Sequence, residues 1–155
     1  LNAVFTVVPP LVLTSPQLTD RLGFANAVKR QRAWPETVAA IRQAYEAGDF
    51  DRVAVDNRLM FYATTYYGLE NTAPLRMWRY EPRLNSHAEL TRALPVGAEN
   101  VLLVSYYADS YEPYFERDFE TLEPLGPIDI ELGGGKVRRL KAYAASGYRG
   151  PVVRE

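Results

Sequence analysis

The chain has 155 residues, which is enough for one ordinary domain that buries roughly 70% of the surface its unfolded form exposes. Hydrophobic residues make up 47% and charged residues 24%, a globular composition that excludes intrinsic disorder and collagen-like repeats. The 18 basic and 19 acidic residues leave a net charge of -1, so the sequence predicts no nucleic-acid partner. Cysteine is absent, which excludes thiol catalysis, thiolate metal sites and disulfides.

The chain begins with the mostly apolar stretch LNAVFTVVPPLVL. This stretch is shorter than the roughly 18 apolar residues that identify a membrane-spanning helix, and Pro9 and Pro10 interrupt it. Two interpretations remain open: an extended arm that packs on the domain, or the exit from a membrane segment further upstream. We expect an N-terminal arm over residues 1–33 and a single α/β domain over residues 34–155.

The first elements of the domain alternate between helix and strand. Apolar residues at helical spacing predict a helix over residues 35–47, which Gly48 ends. Residues 51–55 predict a short strand, and the apolar run RLMFYATTYYGL that follows predicts a buried helix over residues 57–67. This order indicates the start of a βαβ unit.

A second unit follows with the same order of elements. LRMW, at residues 75–78, predicts the next strand. Asn85 or Ser86 as the cap, with Glu89 near the capping-box position, predicts a short helix over about residues 86–93 after it. The near-continuous apolar run at residues 101–105 is typical of a strand buried on both faces of a parallel sheet. We therefore expect three parallel strands covered by helices.

The last third of the chain differs in character. Residues 106–115 are rich in tyrosine and predict a surface loop, whereas IDIEL and KVRRLKAY flank residues 133–135, three glycines, and predict an antiparallel hairpin. Residues 111–131 carry seven acidic and one basic side chain, and residues 136–155 carry six basic and one acidic, which favours pairing between the two strands. The predicted fold class is α/β, with a mainly parallel Rossmann-like sheet flanked by helices and a C-terminal antiparallel hairpin.

Familiar catalytic and cofactor motifs are not found in the sequence. Ser146 lacks the first glycine of a nucleophile elbow, and Gly135-Lys136 lacks the preceding glycine and the following hydroxyl of a P-loop. No glycine-rich turn follows the first predicted strand, and His87 is the only histidine. We therefore predict no catalytic residue, no cofactor and no metal site in this chain.

Polar residues nevertheless follow the predicted strands, where ligands bind in open α/β sheets. The candidate polar cluster consists of Asp56, Asn57, Arg58, Asn85 and His87. It has two interpretations: a ligand pocket, or structural contacts in which Asp56 caps a helix and pairs with Arg58.

Three tyrosines of the predicted loop form a candidate interface: Tyr107, Tyr111 and Tyr114. Tyrosine combines an apolar ring with a polar end, which suits a surface that faces a membrane or an acceptor molecule. The alternative is that aromatic side chains of this segment fold back onto the core.

Five segments together resemble a known family: VAVDNRLMFYATTYYGL, LRMW, LNSHAELTRALP, NVLLVSYY and RRLKAYAASGYRGP. They resemble the C-terminal soluble region of polyprenyl-phosphate-dependent membrane glycosyltransferases, the superfamily of the lipid A aminoarabinose transferases and the dolichyl-phosphate-mannose protein mannosyltransferases. Asp-x-Arg at residues 56–58, Tyr-Tyr at 66–67 and Asn-x-His at 85–87 match its short motifs. The similarity covers about residues 34–151.

The resemblance implies a multi-spanning enzyme at the extracytoplasmic (periplasmic) face of the inner membrane that transfers a sugar from a polyprenyl-phosphate donor to a lipid or protein acceptor. The family's catalytic groups lie near its first transmembrane helices, so this chain would be a non-catalytic domain serving acceptor binding or support. Its partners would be the membrane-embedded part of the same chain and the glycan acceptor.

Two other classes of protein remain open. The first is a small soluble α/β enzyme or ligand-binding protein that uses Asp56, Arg58 and His87, which predicts saturable binding of a small molecule. The second is a protein-interaction module that docks through its segregated charges, which predicts a complex weakened by salt.

Overall fold

The structure, a computed structural model, describes residues 32–152, so nearly all of the predicted arm at residues 1–33 lies outside the described residues. This part of the chain forms four α-helices, a 3-10 turn at Leu69–Asn71 and one five-stranded sheet. The helices are α1 Trp34–Glu46, α2 Arg58–Tyr66, α3 His87–Thr91 and α4 Ala108–Asp118. The strands are β1 Arg52–Val55, β2 Leu75–Met77, β3 Val101–Ser105, β4 Thr121–Gly133 and β5 Lys136–Ser146.

The strand order in the sheet is β2-β1-β3-β5-β4. β1 pairs in parallel with both β2 and β3, whereas β5 pairs antiparallel with both β3 and β4. The prediction of a mainly parallel, Rossmann-like sheet is therefore wrong, and the sheet is mixed. The reason is that the C-terminal hairpin joins the sheet beside β3, with its second strand inserted between β3 and β4.

β3 lies at the centre of the sheet, and all five of its residues are buried. Helices cover it on both faces, which explains its continuous apolar run. Such a run indicates burial on both faces but carries no information on the direction of the neighbouring strands. For this reason the pattern was compatible with the wrong fold class.

The two faces of the sheet carry separate helices because successive side chains of a strand point to opposite sides. Val53 and Val104 pack with residues of α1 and α2, including Ile41 and Met60. On the other face, β-strand side chains pack with Phe115 of α4. The protein is thus a sheet between two helical layers.

Helix α4 replaces the loop that the sequence predicts for residues 106–115, and it contains Pro113. Its buried face includes Ala108 and Phe115, which are seven residues apart and therefore lie on the same side of a helix. Burial of this face compensates for the hydrogen bond that proline cannot donate.

The basic strand β5 contacts helix α1 as well as its acidic neighbour β4. Arg139 pairs with Asp129 of β4 at 3.9 Å, as the charge pattern predicts, but Arg138 points into the core. Its guanidinium lies 3.9 Å from the centroid of the Trp34 ring and donates to Thr37 Oγ1 at 2.7 Å. Arg138 therefore ties β5 to the first turn of α1.

Among residues 32–152 no helix is long and apolar enough to cross a membrane.

Candidate functional site

Asp56 follows β1 and joins it to the segment after β3. The hydroxyl of Ser105 donates to its Oδ2 at 2.5 Å, and the backbone N–H groups of Tyr106 and Tyr107 donate to Oδ1 at 2.9 Å and Oδ2 at 3.1 Å. The residue is 8% exposed. Its carboxylate therefore fills the space between the two strand ends, where an open α/β sheet offers a ligand crevice.

Burial raises the pKa of Asp56 above its ordinary value of 3.8, and the three hydrogen bonds oppose this shift. A carboxyl group saturated by donors from its own fold has little capacity left for a substrate. The geometry thus assigns Asp56 a structural role rather than a catalytic one.

The expectation that Asp56 caps the following helix and pairs with Arg58 is wrong. Asn57 is the N-cap of α2, and its side chain accepts from the backbone N–H of Met60 at 3.1 Å. The guanidinium of Arg58 donates instead to the backbone oxygen of Asn85 at 3.3 Å. Arg58 and Asn85 are thus the two members of the predicted cluster that the structure brings into contact.

Asn85 and His87 flank the start of α3. The Asn85 side chain donates to Glu81 Oε1 at 2.8 Å, and its backbone N–H donates to Glu89 Oε2 at 2.9 Å. Of the two predicted cap residues, Ser86 rather than Asn85 caps α3, and its side chain accepts from the N–H of Glu89. The exposed His87 lines a cavity of about 170 Å³ between α2 and α3. The five predicted polar residues therefore perform separate local tasks.

A second group of residues forms a more continuous surface, which we call the aromatic cluster. It consists of Trp78, Tyr80, Tyr107, Tyr111, Tyr114, Phe115 and Tyr143. Tyr80 and Tyr111 stack with ring centroids 5.1 Å apart, and Trp78 meets Phe115 edge to face at 4.7 Å. These are the offset and edge-to-face geometries that aromatic pairs prefer.

The aromatic cluster extends from the core to the surface. Trp78, Phe115 and Tyr143 are fully buried, whereas Tyr80 is 36% and Tyr107 44% exposed. All three tyrosines of the candidate interface belong to this cluster, and Tyr111 and Tyr114 are half-buried in it. A buried aromatic base thus supports exposed tyrosine rings.

A groove between α4 and the hairpin borders the aromatic cluster. Two adjoining cavities of about 370 and 300 Å³ form it, and both are lined by Pro127 and Lys141. Tyr107 lines the first cavity, and Tyr143 lines the second. We refer to the two cavities together as the α4–β5 groove.

Charged groups line the α4–β5 groove. The ammonium of Lys141 lies 3.1 Å from Asp109 Oδ1 and 3.7 Å from Glu112 Oε2, and its hydrogen bond to Asp109 raises its pKa. The Tyr143 hydroxyl donates to Glu112 Oε1 at 2.9 Å. Burial, followed by this hydrogen bond, raises the pKa of Tyr143, so the phenol stays protonated. Donors and acceptors therefore stand beside the aromatic rings.

The part of the chain that the structure describes contains no group of three or more His, Asp or Glu side chains placed to hold a metal ion. Comparison of the chain with known protein families, with curated proteins and with solved structures finds no match in any of the three.

The sequence pointed to three of the tyrosines but not to the rest of the aromatic cluster. Tyr107, Tyr111 and Tyr114 recur at intervals of four and three, which is helical spacing and could have predicted α4. Trp78 and Tyr80 come from the end of β2, and only the sheet order places them beside α4. Their participation depends on contacts between distant parts of the chain.

Proposed function

We propose that this chain is the extracytoplasmic domain of a membrane glycosyltransferase that moves a sugar from a polyprenyl-phosphate donor to a lipid or protein acceptor. In this proposal the domain is non-catalytic and contacts the acceptor through the aromatic cluster and the α4–β5 groove. The observation that carries the acceptor role is the row of partly exposed tyrosines beside a groove lined by Asp109, Glu112 and Lys141.

Carbohydrate chemistry suits this surface. The C–H faces of a sugar ring pack on aromatic faces, and its hydroxyl groups donate to carboxylates and accept from ammonium groups. Tyr80 and Tyr107 offer exposed ring area, and Asp109 and Glu112 offer acceptor oxygens. The resemblance of residues 34–151 to the C-terminal region of polyprenyl-phosphate glycosyltransferases supports the choice of enzyme class.

A small-molecule enzyme built on Asp56, Arg58 and His87 is less well supported. Asp56 is saturated by Ser105, Tyr106 and Tyr107, and Arg58 bonds the loop before α3. These residues do not converge on one cavity with the geometry of a nucleophile and its base.

The enzyme class can be tested on the gene. The coding sequence that precedes the codon for Leu1 should encode about ten apolar segments, each long enough to span a bilayer. An upstream sequence without such segments would reject the membrane glycosyltransferase.

The acceptor role can be tested by fluorescence, because Trp78 lies in the aromatic cluster and the chain has only two tryptophans. Trp34→Phe leaves Trp78 as the sole reporter. We expect mannobiose or a glucosamine disaccharide, used as probes, to change its emission saturably.

Variants show whether that change comes from the aromatic cluster. Tyr107→Ala and Tyr80→Ala should weaken sugar binding about tenfold, since aromatic anchors dominate small interfaces. Tyr66→Ala, an exposed tyrosine on α2 outside the cluster, is the matched control and should bind normally. No response to either probe, or equal weakening by all three variants, would argue against an acceptor site here.

A further inference from the structure

The outer face of α2 is unusually apolar for a solvent-facing helix. Leu59, Tyr62 and Tyr66 follow one another at helical spacing, and all three are exposed, Tyr66 to 81%. Charged side chains normally occupy this position on a surface helix. A row of large exposed apolar residues marks an interaction surface.

Residues before and within α3 extend this face. Leu84 and Leu90 are exposed, the latter to 63%. Tyr62 and His87 line the same cavity between α2 and α3, and Arg58 donates to the backbone oxygen of Asn85. The two elements therefore present one surface, which we call the α2–α3 face.

The charges around the α2–α3 face favour an anionic partner. Residues 58–92 contain five arginines and three glutamates, and one of the glutamates, Glu89, is a buried residue of α3. Arg58 and Arg83 are exposed and directly precede the exposed Leu59 and Leu84 in the chain. Glu70 pairs with Arg92 at 2.7 Å, and Glu81 accepts from Asn85. The apolar surface is thus bordered by cations.

The acidic part of the molecule lies elsewhere. Residues 109–131, in α4 and β4, carry eight acidic and one basic side chain. β4 is at the opposite edge of the sheet from β2, against which α2 and α3 pack. Lys141 of β5 pairs with Asp109 and Glu112, so part of this acidic charge is neutralised. Residues 58–92, by contrast, contain two more arginines than glutamates, and this surplus would draw the α2–α3 face toward an anionic plane.

We propose that the α2–α3 face lies on the surface of an anionic lipid bilayer, with Tyr62 and Tyr66 at the headgroup level and Arg58 and Arg83 against lipid phosphates. Leucine and tyrosine next to arginine is the composition of interfacial membrane contacts. A second copy of this chain or an acidic protein are the competing occupants. This surface is separate from the aromatic cluster, so the proposal stands whether or not that cluster binds sugars.

The absence of cysteine allows a site-specific test in the complete 155-residue chain. Tyr66→Cys carries an environment-sensitive NBD label on the α2–α3 face, and Leu125→Cys, 52% exposed on β4, carries the same label as the matched control. Vesicles of phosphatidylcholine with 30% phosphatidylglycerol serve as the probe, and vesicles of phosphatidylcholine alone are compared with them.

We expect the label at position 66 to brighten at least about twofold with anionic vesicles, and to be quenched by lipids spin-labelled near the headgroup. The label at position 125 should not respond. Arg58→Glu with Arg83→Glu should weaken the response at position 66 by about tenfold or more, since each arginine near an anionic surface contributes to binding.

Three results would overturn the proposal. Equal responses at positions 66 and 125 would show anchoring by another part of the chain, such as the apolar stretch at residues 1–13. A response at position 66 that depends on protein concentration without vesicles would favour a second copy. No response at position 66 to either vesicle would remove the bilayer as the partner.

Discussion

Asp56 shows how a single side chain can close a site that sheet topology would leave open. It accepts three hydrogen bonds from residues 105–107 and thereby fastens the end of β1 to the start of α4. Tyr107, an exposed tyrosine of the aromatic cluster, lies at this connection. The position of the candidate acceptor surface therefore depends on a buried carboxylate.

We predict that Asp56→Asn lowers the free energy of unfolding by about 1–3 kcal/mol, because the amide can replace one acceptor oxygen but turns an N–H group toward donors that were satisfied. Chemical denaturation at pH 7 measures the change. Asp49→Asn, at an exposed aspartate, should change the stability by less than about 0.5 kcal/mol. Equal stability of the two variants would contradict the structural role of Asp56.

The difference in stability between the wild type and Asp56→Asn should also depend on pH. Because burial raises the folded-state pKa of Asp56 above 3.8, the folded protein holds this proton to higher pH than the unfolded chain. The stabilising contribution of the carboxyl group is therefore complete below pH 3.8 and declines as pH rises through the folded-state pKa. The stability of the wild type relative to Asp56→Asn should fall over that range in denaturation experiments. A difference that grows with pH would mean that the hydrogen bonds outweigh burial.

At the level of elements, the local patterns of the sequence predict segments better than they predict pairing. The strands at residues 52–55 and 101–105 and the capping of α3 by Ser86 match the predictions, since spacing and capping are properties of neighbouring residues. The insertion of β5 beside β3 depends on contacts between residues about 40 positions apart, which periodicity does not encode. The fold class was missed for this reason.

The residues of the candidate site could likewise be predicted from the sequence only in part. Asn57 and Asp56 were identified as polar residues at a strand end, but only the structure shows which of them caps α2. Residues 106–115 were predicted to form a surface loop, but they lie largely in α4, and the packing of Phe115 and Tyr111 against Trp78 outweighs the local effect of Pro113.

The junction between α4 and β4 depends on a close approach at Gly147, just after β5. Gly147 has a φ of +63°, and a Cβ placed there would lie 2.7 Å from the Cβ of Glu120. Gly135, in the hairpin turn, has a φ of +70° with no atom within 4 Å of such a Cβ. A side chain at either position would adopt the strained left-handed backbone conformation, but only at position 147 would its Cβ lack space.

We predict that Gly147→Ala lowers the free energy of unfolding by about 1 kcal/mol or more beyond Gly135→Ala. Alanine at either position adopts the unfavourable left-handed backbone conformation, but only alanine at position 147 must also displace Glu120. Thermal and chemical denaturation of the two variants measure the difference. Equal destabilisation would show that Glu120 can move aside without cost.

At the scale of the whole molecule, the two proposed surfaces use different layers. The aromatic cluster is built on α4, and the α2–α3 face is built on the helices of the other side of the sheet. If α2 and α3 hold the domain on a bilayer, the aromatic rings around α4, on the other face of the sheet, remain available to an acceptor. The surplus of arginine over glutamate in residues 58–92 supports that orientation.

We predict that the 155-residue chain alone does not transfer sugar, because the proposed function places the catalytic groups in the membrane-embedded part of the protein. The measurement is incubation with a radiolabelled undecaprenyl-phosphate sugar and lipid A, followed by chromatography of the lipids. Boiled protein is the control. Labelled lipid A formed above that control would overturn the non-catalytic assignment.

The position of β5 between β3 and β4 has a consequence for synthesis on the ribosome. Until residues 136–146 have left the exit tunnel, one edge of β3 has backbone N–H and C=O groups without a neighbouring strand, although β1 and β2 are already complete. An unpaired edge on a strand with apolar side chains is a site where nascent chains associate with one another. The domain therefore closes its sheet only after residues 136–146 have been synthesised, and a chaperone that binds the nascent chain would protect β3 until then.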